Sequence, residues 1–341
     1  MTSDVSPDRF DAITSRYPDL RLVVAGDFCL DRYFEIDPTR SEKSIETGLE
    51  VYNVTAVRCQ PGAAGTILNN LSALGIGTIL PVGCCGEDGE GWELRRALEA
   101  RPGVSLEFFE TSRLRHTFTY SKPLVIRANE PPLELNRLDQ KNWGETPEEL
   151  QGSLITAFRR ALEGASGAIL MDQVDLPETG VVTSRFRAEV GVLKAARPGL
   201  LVVGDSRQGL RGWPPVIFKM NARELGALTG REVSSLSDIQ AACAGLARGN
   251  RSPSFITLAE LGIVGSDADG NVAHVPAFPV MGPIDIVGAG DSVTANLTAA
   301  LAAGASVTEA MELAMAAASV VIHQLGTTGT ATVAQIRERM L

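Results

Sequence analysis

The chain has 341 residues, of which 44% are hydrophobic, and its formal net charge at pH 7 is -10. This length and composition exclude a disordered or fibrous protein and are typical of a soluble α/β enzyme. The acidic balance argues against nucleic acid or an anionic membrane as a partner, although backbone amides and a few basic side chains can still bind a small anion.

The cysteines and the N-terminus indicate a cytoplasmic protein. Five cysteines, an odd number, lie mostly among apolar residues, so we expect reduced thiols in the core. Residues 1–17 are polar and lack the apolar segment of a secretory signal, and we expect them to form an N-terminal extension. The small apolar residues around 310–322 predict a buried helix that is too short to span a bilayer. Zinc-ligand spacings are absent from the sequence.

The first predicted strand, residues 20–27, is an apolar run that ends at Gly26 and Asp27. Open α/β sheets bind their ligands at the carboxyl ends of the strands. Asp31 follows this end, and its carboxylate can accept two hydrogen bonds from a polyol. A solvated acid in a turn is the alternative interpretation.

Two separated segments, at about 33–60 and 115–138, contain short runs in which apolar and polar residues alternate. A period of two predicts strands that are buried on one face only. A small sheet laid across a larger domain requires such strands. We therefore predict a lid.

Outside the lid, predicted strands alternate with predicted helices. A glycine-rich entry at residues 61–66 precedes a helix that stops at Gly75. Residues 255–264 are typical of a hairpin. Further strands are predicted at 78–83, 168–172, 200–205 and 216–220. This alternation predicts a mostly parallel sheet with helices on both faces.

Asn221 begins a predicted helix directly after one of these strands, and Glu224 follows three residues later. This spacing places both side chains on one face of the helix. They form either a capping box or a site for hydrated magnesium and phosphate, and the capping box is the ordinary outcome.

The turn Gly288-Ala289-Gly290-Asp291 opens another run of helix-forming residues. The amides of the first three residues are expected to lack carbonyl partners and to lie at the positive end of a helix dipole, which makes an anion site. Asp291 would repel a bound phosphate unless its carboxylate takes a proton from an attacking hydroxyl. A tight turn with an Asp cap is the alternative.

With these motifs the chain resembles the PfkB, or ribokinase-like, carbohydrate kinase family from about residue 21 to 333, and within that family the bacterial heptose 7-phosphate kinases. The similar segments are residues 26–33, 61–75, 137–139, 288–291 and 325–327. The resemblance implies a ribokinase-like three-layer α/β sandwich over residues 18–341, with a mostly parallel central sheet and a small β-sheet lid. It also implies phosphotransfer from ATP to a hydroxyl of a sugar or sugar phosphate, with Mg²⁺ and K⁺.

The resemblance also implies roles for individual residues. Asp291 is the expected base, and the amides of Gly288, Ala289 and Gly290 are expected to stabilise the transferred phosphoryl group. The residues expected at the nucleotide are Asn221, Glu224, Thr257, Leu258, Gly262 and Gly326. The residues expected at the acceptor are Asp31, Gly62, Ala63, Thr66, Asp172 and Arg207. Glu224 is expected to bind Mg²⁺ through water, and Asp285 is expected to bind the monovalent cation.

Some positions depart from the family pattern. Ala63 and Thr66 replace a usual glycine and asparagine, and Val287 replaces a usual threonine. A catalytically weakened binding protein of the same fold and a kinase for a non-sugar alcohol, such as a nucleoside, therefore stay open as alternatives. A dinucleotide oxidoreductase is disfavoured because no GxGxxG follows the first strand. Exposed strand edges of the lid predict a homodimer.

Overall fold

Two sheets organise the computed structural model, which describes residues 5–230, 233 and 235–341. In chain order the strands are β1 (Arg21–Gly26), β2 (Phe28–Ile36), β3 (Glu42–Lys43), β4 (Glu50–Val51), β5 (Val54–Ala63), β6 (Thr78–Gly86), β7 (Phe109–Ser112), β8 (Phe118–Val125), β9 (Leu133–Glu134), β10 (Leu138–Gln140), β11 (Gly167–Asp172), β12 (Val202–Ser206), β13 (Ile217–Asn221), β14 (Ser254–Thr257), β15 (Ile263–Ser266) and β16 (Val272–Val275). The helices are α1 (Pro7–Thr14), α2 (Ala64–Ala73), α3 (Gly89–Glu99), α4 (Glu148–Ala161), α5 (Ser184–Ala196), α6 (Ala222–Thr229), α7 (Leu236–Asn250), α8 (Ala289–Ala302), α9 (Val307–Val321) and α10 (Val333–Met340).

The larger sheet has the order β16-β15-β14-β13-β12-β11-β1-β6-β7 among the described residues. Its strands are parallel from β14 to β7, and only the β14–β15 and β15–β16 pairs are antiparallel. Leu22, Val23, Val24 and Ala25 of the interior strand β1 are all fully buried, as expected for a strand that is covered on both faces. The predicted mostly parallel sheet is therefore confirmed.

Helices cover both faces of this sheet and make three layers. One core joins the sheet to α1, α2, α8, α9 and α10, and a second core joins it to α4, α5 and α7. Phe10 and Ile13 of α1 are fully buried in the first core, and Arg9 pairs with Glu309 of α9 over 2.6 Å. Residues 5–17 thus pack against the rest of the chain, while residues 1–4 lie outside the described part.

The smaller sheet, which we call the lid sheet, has the order β10-β8-β2-β5, with β9 beside β8. Strand β2 is antiparallel to β5 and parallel to β8. Because β2 begins only one residue after β1, the lid sheet starts at the carboxyl edge of the larger sheet. This connection puts the side chains of the lid sheet over the edge where α/β sheets bind ligands.

None of the helices in the described ranges combines the length and the apolar character that a bilayer crossing requires. Helix α9 instead buries its small apolar side chains against the larger sheet, among them Ala314, Ala316 and Ala317. The expectation of a buried helix in this region is therefore confirmed.

The junction between the lid sheet and α2 contains an unusual backbone conformation. Ala63, the last residue of β5 and the residue before α2, has φ 54° and ψ -120°. A side chain with a Cβ rarely adopts this conformation, and such outliers cost about 1–3 kcal/mol each. The surrounding structure therefore holds Ala63 in a geometry that suits glycine.

We predict that Ala63→Gly raises the thermal midpoint of unfolding. Glycine removes the steric conflict at φ 54°, and this gain exceeds the roughly 0.4–1 kcal/mol by which a glycine stabilises the unfolded chain. Ala64→Gly is the matched control, since Ala64 is the first residue of α2 and does not have a positive φ. The control is expected to lower the midpoint, and a lower midpoint in both variants would show that Ala63 is not strained.

Candidate active site

Helix α8 begins at the carboxyl edge of the larger sheet with a turn that directs backbone amides outward. Gly288 occupies the position before the helix with φ 83°, a left-handed conformation that glycine adopts at no steric cost. Among the described residues, no oxygen accepts a hydrogen bond from the amides of Gly288, Gly290 or Asp291. These free donors and the helix dipole attract an anion to this turn.

The structure corrects the expectation for one of these amides. The N–H of Ala289 donates to the carbonyl of Ile286 over 3.2 Å, so it is not free. The chain folds back on itself before α8 and supplies an acceptor that the sequence pattern does not reveal. The donor set is therefore Gly288, Gly290 and Asp291 instead of Gly288, Ala289 and Gly290.

Asp291 lies in the first turn of α8, and its carboxylate receives no hydrogen bond from any described residue. Burial raises the pKa of Asp291 to about 7, and the carboxylate of Asp205 acts in the same direction, against the opposing charge of Lys219. An acid with a pKa near neutrality can accept and release a proton at physiological pH. The charge of Asp31 in the lid sheet also acts to raise the pKa of Asp291.

A buried ion pair lies next to this turn. The Nζ atom of Lys219 lies 2.8 Å from Oδ2 of Asp205, and the hydroxyl of Thr294 donates to the same oxygen over 2.8 Å. Sequence reasoning missed this pair. The available signal was a charged residue inside each of two apolar strands, because such residues are almost never buried without a partner.

Asn221 and Glu224 form the capping box of α6. The amide of Glu224 donates to Oδ1 of Asn221, and the amide of Asn221 donates to Oε2 of Glu224, each over 2.9 Å. Burial raises the pKa of Glu224, although the hydrogen bond from the Asn221 amide lowers it. The other carboxylate oxygen of Glu224 has no partner among the described residues, so the cap leaves it available.

Three more of the residues predicted to contact the nucleotide, Thr257, Leu258 and Gly262, lie at the end of the strand next to β13 and in the turn that follows it. Thr257 pairs in register with Asn221 across β13 and β14. The amide of Leu258 donates to the carbonyl of Gly262 over 2.8 Å, which closes the turn between β14 and β15. The predicted hairpin at residues 255–264 is thus present as two antiparallel strands.

Asp285 connects two backbone segments near α8. Its Oδ1 accepts a hydrogen bond from the amide of Val287 over 3.0 Å, and its Oδ2 accepts one from the amide of Gly326 over 3.3 Å. Asp285 therefore ties the loop at Gly326 to the segment that precedes the turn.

In the described part of the chain, no three His, Cys, Asp or Glu side chains come together in a way that could hold a metal ion.

On the acceptor side, Asp31 is buried and paired with a lysine of the lid sheet. Nζ of Lys122 lies 3.0 Å from Oδ1 of Asp31 and 3.4 Å from the hydroxyl of Tyr33. A methyl group at Gly62 would lie 2.7 Å from Oδ2 of Asp31, so only glycine leaves that oxygen accessible. Thr66 is buried in α2. A methyl group placed on Gly288 would lie 3.5 Å from the methyl group of Thr66. Sequence reasoning did not identify Lys122.

An open cleft of about 420 Å³ lies between the lid sheet and the loop after β11, and Ala63, Asp27, Phe118 and Tyr120 are among its lining residues. Asp27 is held by the amides of Gln173 and Val181 over 2.8 and 2.7 Å. These contacts fix the floor of the cleft at the end of β1.

Of the six predicted acceptor residues, Ala63 alone lines this cleft in the described structure, and the other five, Asp31, Gly62, Thr66, Asp172 and Arg207, do not. Asp172 is buried and accepts a hydrogen bond from Ser206 over 2.8 Å, and burial with the nearby charge of Asp27 raises its pKa to about 7. Arg207 lies 3.7 Å from the carboxylate of Asp175 and is half exposed. The positive charge of Arg207 acts to lower the pKa of Asp291.

Comparison with known proteins shows which family the chain resembles. Residues 207–333 match the model of the pfkB family carbohydrate kinases, and this range contains the α6 cap and the α8 turn. The Bifunctional protein HldE of Azorhizobium caulinodans is 30% identical over 317 residues, which cover 93% of this chain. The chain spans 63% of the length of that relative.

Solved structures share the fold. The ribokinase of Arabidopsis thaliana, complexed with ribose and ATP, superposes with a TM-score of 0.65 at 20% identity and covers 94% of this chain and 98% of its own. Phosphofructokinase-2 of Escherichia coli, in complex with potassium, superposes with a TM-score of 0.68 at 21% identity over the same shares of the two chains. The family match over residues 207–333, the curated relative and the fold agree, and the chain is similar to the pfkB family of carbohydrate kinases.

Proposed function

We propose that the protein transfers the γ-phosphoryl group of ATP to a hydroxyl of a sugar or sugar phosphate. One observation carries the proposal: Asp291, whose burial raises its pKa to about 7, lies in the same helical turn as amides that donate to no described residue. A proton acceptor and an anion site side by side are the two parts that this reaction requires.

The proposed step follows from these positions. The acceptor hydroxyl gives its proton to the Asp291 carboxylate while its oxygen forms a bond to the γ-phosphorus. The bond between that phosphorus and the bridging oxygen breaks, and its electron pair leaves with ADP. The amides of Gly288, Gly290 and Asp291 donate to the phosphoryl oxygens, where negative charge is concentrated in the transition state.

The residues present fit magnesium and a monovalent cation. Bound Mg²⁺ would neutralise charge on the phosphates, and the free oxygen of Glu224 can hold it through water. We place K⁺ near Asp285, whose two oxygens are oriented by the amides of Val287 and Gly326. The potassium-bound phosphofructokinase-2 supports this placement by fold alone.

The lid sheet provides the acceptor site and a surface for a second copy. Asp31 can bind acceptor hydroxyls while Lys122 balances its charge. On the edge strand β5, Val54 and Val57 are 45% and 47% exposed, and the β3–β4 hairpin beside it carries a fully exposed Ile45. An unpaired edge with apolar side chains supports a homodimer through the lid.

A second candidate, nucleotide and sugar binding with weakened catalysis, is favoured by the conformation of Ala63, which puts a methyl group where the backbone geometry suits glycine. A third candidate function is phosphorylation of a non-sugar alcohol. ATP turnover with Mg²⁺ and K⁺ across sugars, sugar phosphates and nucleosides separates them. Transfer to a nucleoside alone supports the third candidate, and tight ATP binding without transfer supports the second.

We predict that Asp291→Asn lowers kcat by about 10²–10⁴-fold, the usual contribution of a positioned base, and leaves the Kd for ATP nearly unchanged. Single-turnover phosphotransfer and calorimetric titration with ATP measure the two quantities. Asp269→Asn is the control, because Asp269 is an exposed residue in the turn between β15 and β16. A variant at Asp291 that retains wild-type turnover excludes Asp291 as the base.

We predict that kcat/KM for the acceptor falls about tenfold per pH unit below pH 7. Burial and the charge of Asp205 raise the pKa of Asp291 to about 7, and only the deprotonated carboxylate accepts a proton, so activity is present above this pKa and lost as the pH falls through it. The acidic limb of the pH profile measures this value. A limb centred near pH 4, the ordinary value for an aspartate, would contradict the assignment.

We predict that Asp31→Asn raises the KM for the acceptor about 10- to 100-fold, because a hydrogen bond to a charged group contributes roughly 1.5–3 kcal/mol. The KM for ATP should stay within about threefold of wild type, because Asp31 is proposed to bond the acceptor and not the nucleotide. The control is Asp37→Asn, an acid in the loop after β2 whose side chain, among the described residues, bonds its neighbours Thr39 and Arg40 alone. Equal effects of both changes on the acceptor would place the acceptor elsewhere.

A further inference from the structure

The cleft between the lid sheet and the loop after β11 continues the acceptor side along one face of the lid sheet. Cys29 of β2 lines the cleft, and Asp31 follows two residues later on the same face of the strand. Phe118 and Tyr120 of β8 also line the cleft, and they pair in register with Cys29 and Asp31. An acceptor that is bonded to Asp31 can therefore extend into this cleft.

Apolar and aromatic side chains form much of the wall of the cleft. Phe118 and Tyr120 lie on the lid side, and Trp143 lies in the segment between β10 and α4. Val174 and Leu176 lie in the loop after β11. Trp143 is 73% exposed and Leu176 is 43% exposed, so apolar surface remains open to a ligand. The volume of about 420 Å³ lies within the size range of small-molecule sites.

The backbone that carries Trp143 is fixed by the two residues before it. Oδ1 of Asn142 accepts from the amide of His116 over 3.0 Å, and its Nδ2 donates to the carbonyl of His116 over 2.8 Å. Nζ of Lys141 lies 2.7 Å from the carboxylate of Asp175, which also lines the cleft. The indole N–H of Trp143 donates to no described residue. An exposed aromatic ring is therefore held at the cleft without an internal partner.

The lining of the cleft carries no net positive charge. Its charged residues in the described structure are Asp27, Lys141 and Asp175, and Lys141 is paired with Asp175. Burial raises the pKa of Asp27, although hydrogen bonds from three backbone amides lower it. The carboxyl group of Asp27 is either negative or neutral, so the lining has a net charge of zero or below. Such a lining disfavours a phosphate group.

Three arginines contact residues that line the cleft, and each of them already has an oxygen partner. Arg207 lies 3.7 Å from the carboxylate of Asp175. Arg137 lies 2.7 Å from the carboxylate of Asp139. Arg115 donates to three backbone carbonyls. A phosphate group on the acceptor would therefore compete with an oxygen that each cation already binds.

We propose that the part of the acceptor that fills this cleft is uncharged and carries an apolar or aromatic group that stacks on Trp143. The inference rests on the proposed function, and it narrows the acceptor from sugars and sugar phosphates to uncharged sugar derivatives. The phenol of Tyr120 and the side-chain amide of Gln173 donate to no described residue, so both can bond hydroxyl or ether oxygens of such an acceptor.

Thermal unfolding with Mg²⁺ and a non-hydrolysable ATP analogue present tests this proposal, because the analogue occupies the nucleotide site. The probes are the common pentoses and hexoses, each as the free sugar, as its terminal phosphate and as its phenyl glycoside. At equal concentration, at least one phenyl glycoside should raise the thermal midpoint of the wild-type protein more than its free sugar and its phosphate do. If no phenyl glycoside does so, the proposal is wrong.

Trp143→Ala should raise the Kd for that phenyl glycoside about 2- to 10-fold, the effect of losing one aromatic contact, and leave the Kd for the free sugar nearly unchanged. The variant is expected to fold, since Trp143 is mostly exposed. The matched control is Trp92→Ala, because Trp92 is 63% exposed in α3 and does not line the cleft. Unchanged binding in Trp143→Ala, or an equal loss in both variants, would overturn the proposal.

Turnover separates this inference from the proposed function. In Trp143→Ala the KM for the phenyl glycoside should rise by the same factor with kcat unchanged, because the stacking contact is the same in the ground state and the transition state. If the wild-type protein binds the phenyl glycoside through Trp143 but transfers phosphate to no acceptor, the proposed function fails and the assignment of the cleft stands. If it transfers phosphate to sugar phosphates alone, the function stands and the inference is wrong.

Discussion

The candidate active site depends on the N-terminus of α8, where the helix dipole is positive. The backbone before this helix adopts a left-handed conformation at Gly288, and the amides of Gly288, Gly290 and Asp291 donate to no oxygen of the described residues. The same turn carries Asp291, so one local conformation positions the anion site and the proton acceptor together. Because both belong to one rigid helix start, their separation does not depend on the lid.

Charge balance explains why Asp291 can act near neutral pH. Asp205, Asp291 and Glu224 surround a single buried ammonium, that of Lys219. Their mutual repulsion and burial oppose a further negative charge, which raises the pKa of Asp291. An excess of carboxylates in a low-dielectric site also attracts cations, and a magnesium nucleotide brings positive charge together with its phosphates.

A chain of hydrogen bonds links the acceptor side to the loop after α9. Asp31 accepts from Lys122, which also donates to Tyr33, and the Tyr33 hydroxyl accepts from Gln60 over 3.1 Å. Gln60 donates onward to Thr328 over 2.8 Å. The methyl of Thr328 lies near the turn that precedes α8, so the lid sheet and the phosphate turn share one network. This network connects the lid sheet to the phosphate turn through direct contacts.

Local patterns in the sequence determined much of this protein. The apolar run of β1, the glycine turn before α8 and the Asn221–Glu224 spacing each predict a structure because the interactions involved span only a few residues. The tertiary structure decided the rest. It brought Lys219 to Asp205 and Lys122 to Asp31, and it occupied the Ala289 amide with a carbonyl. Sequence spacing is silent on such contacts, because ion pairs between separate strands exist only after the sheets have formed.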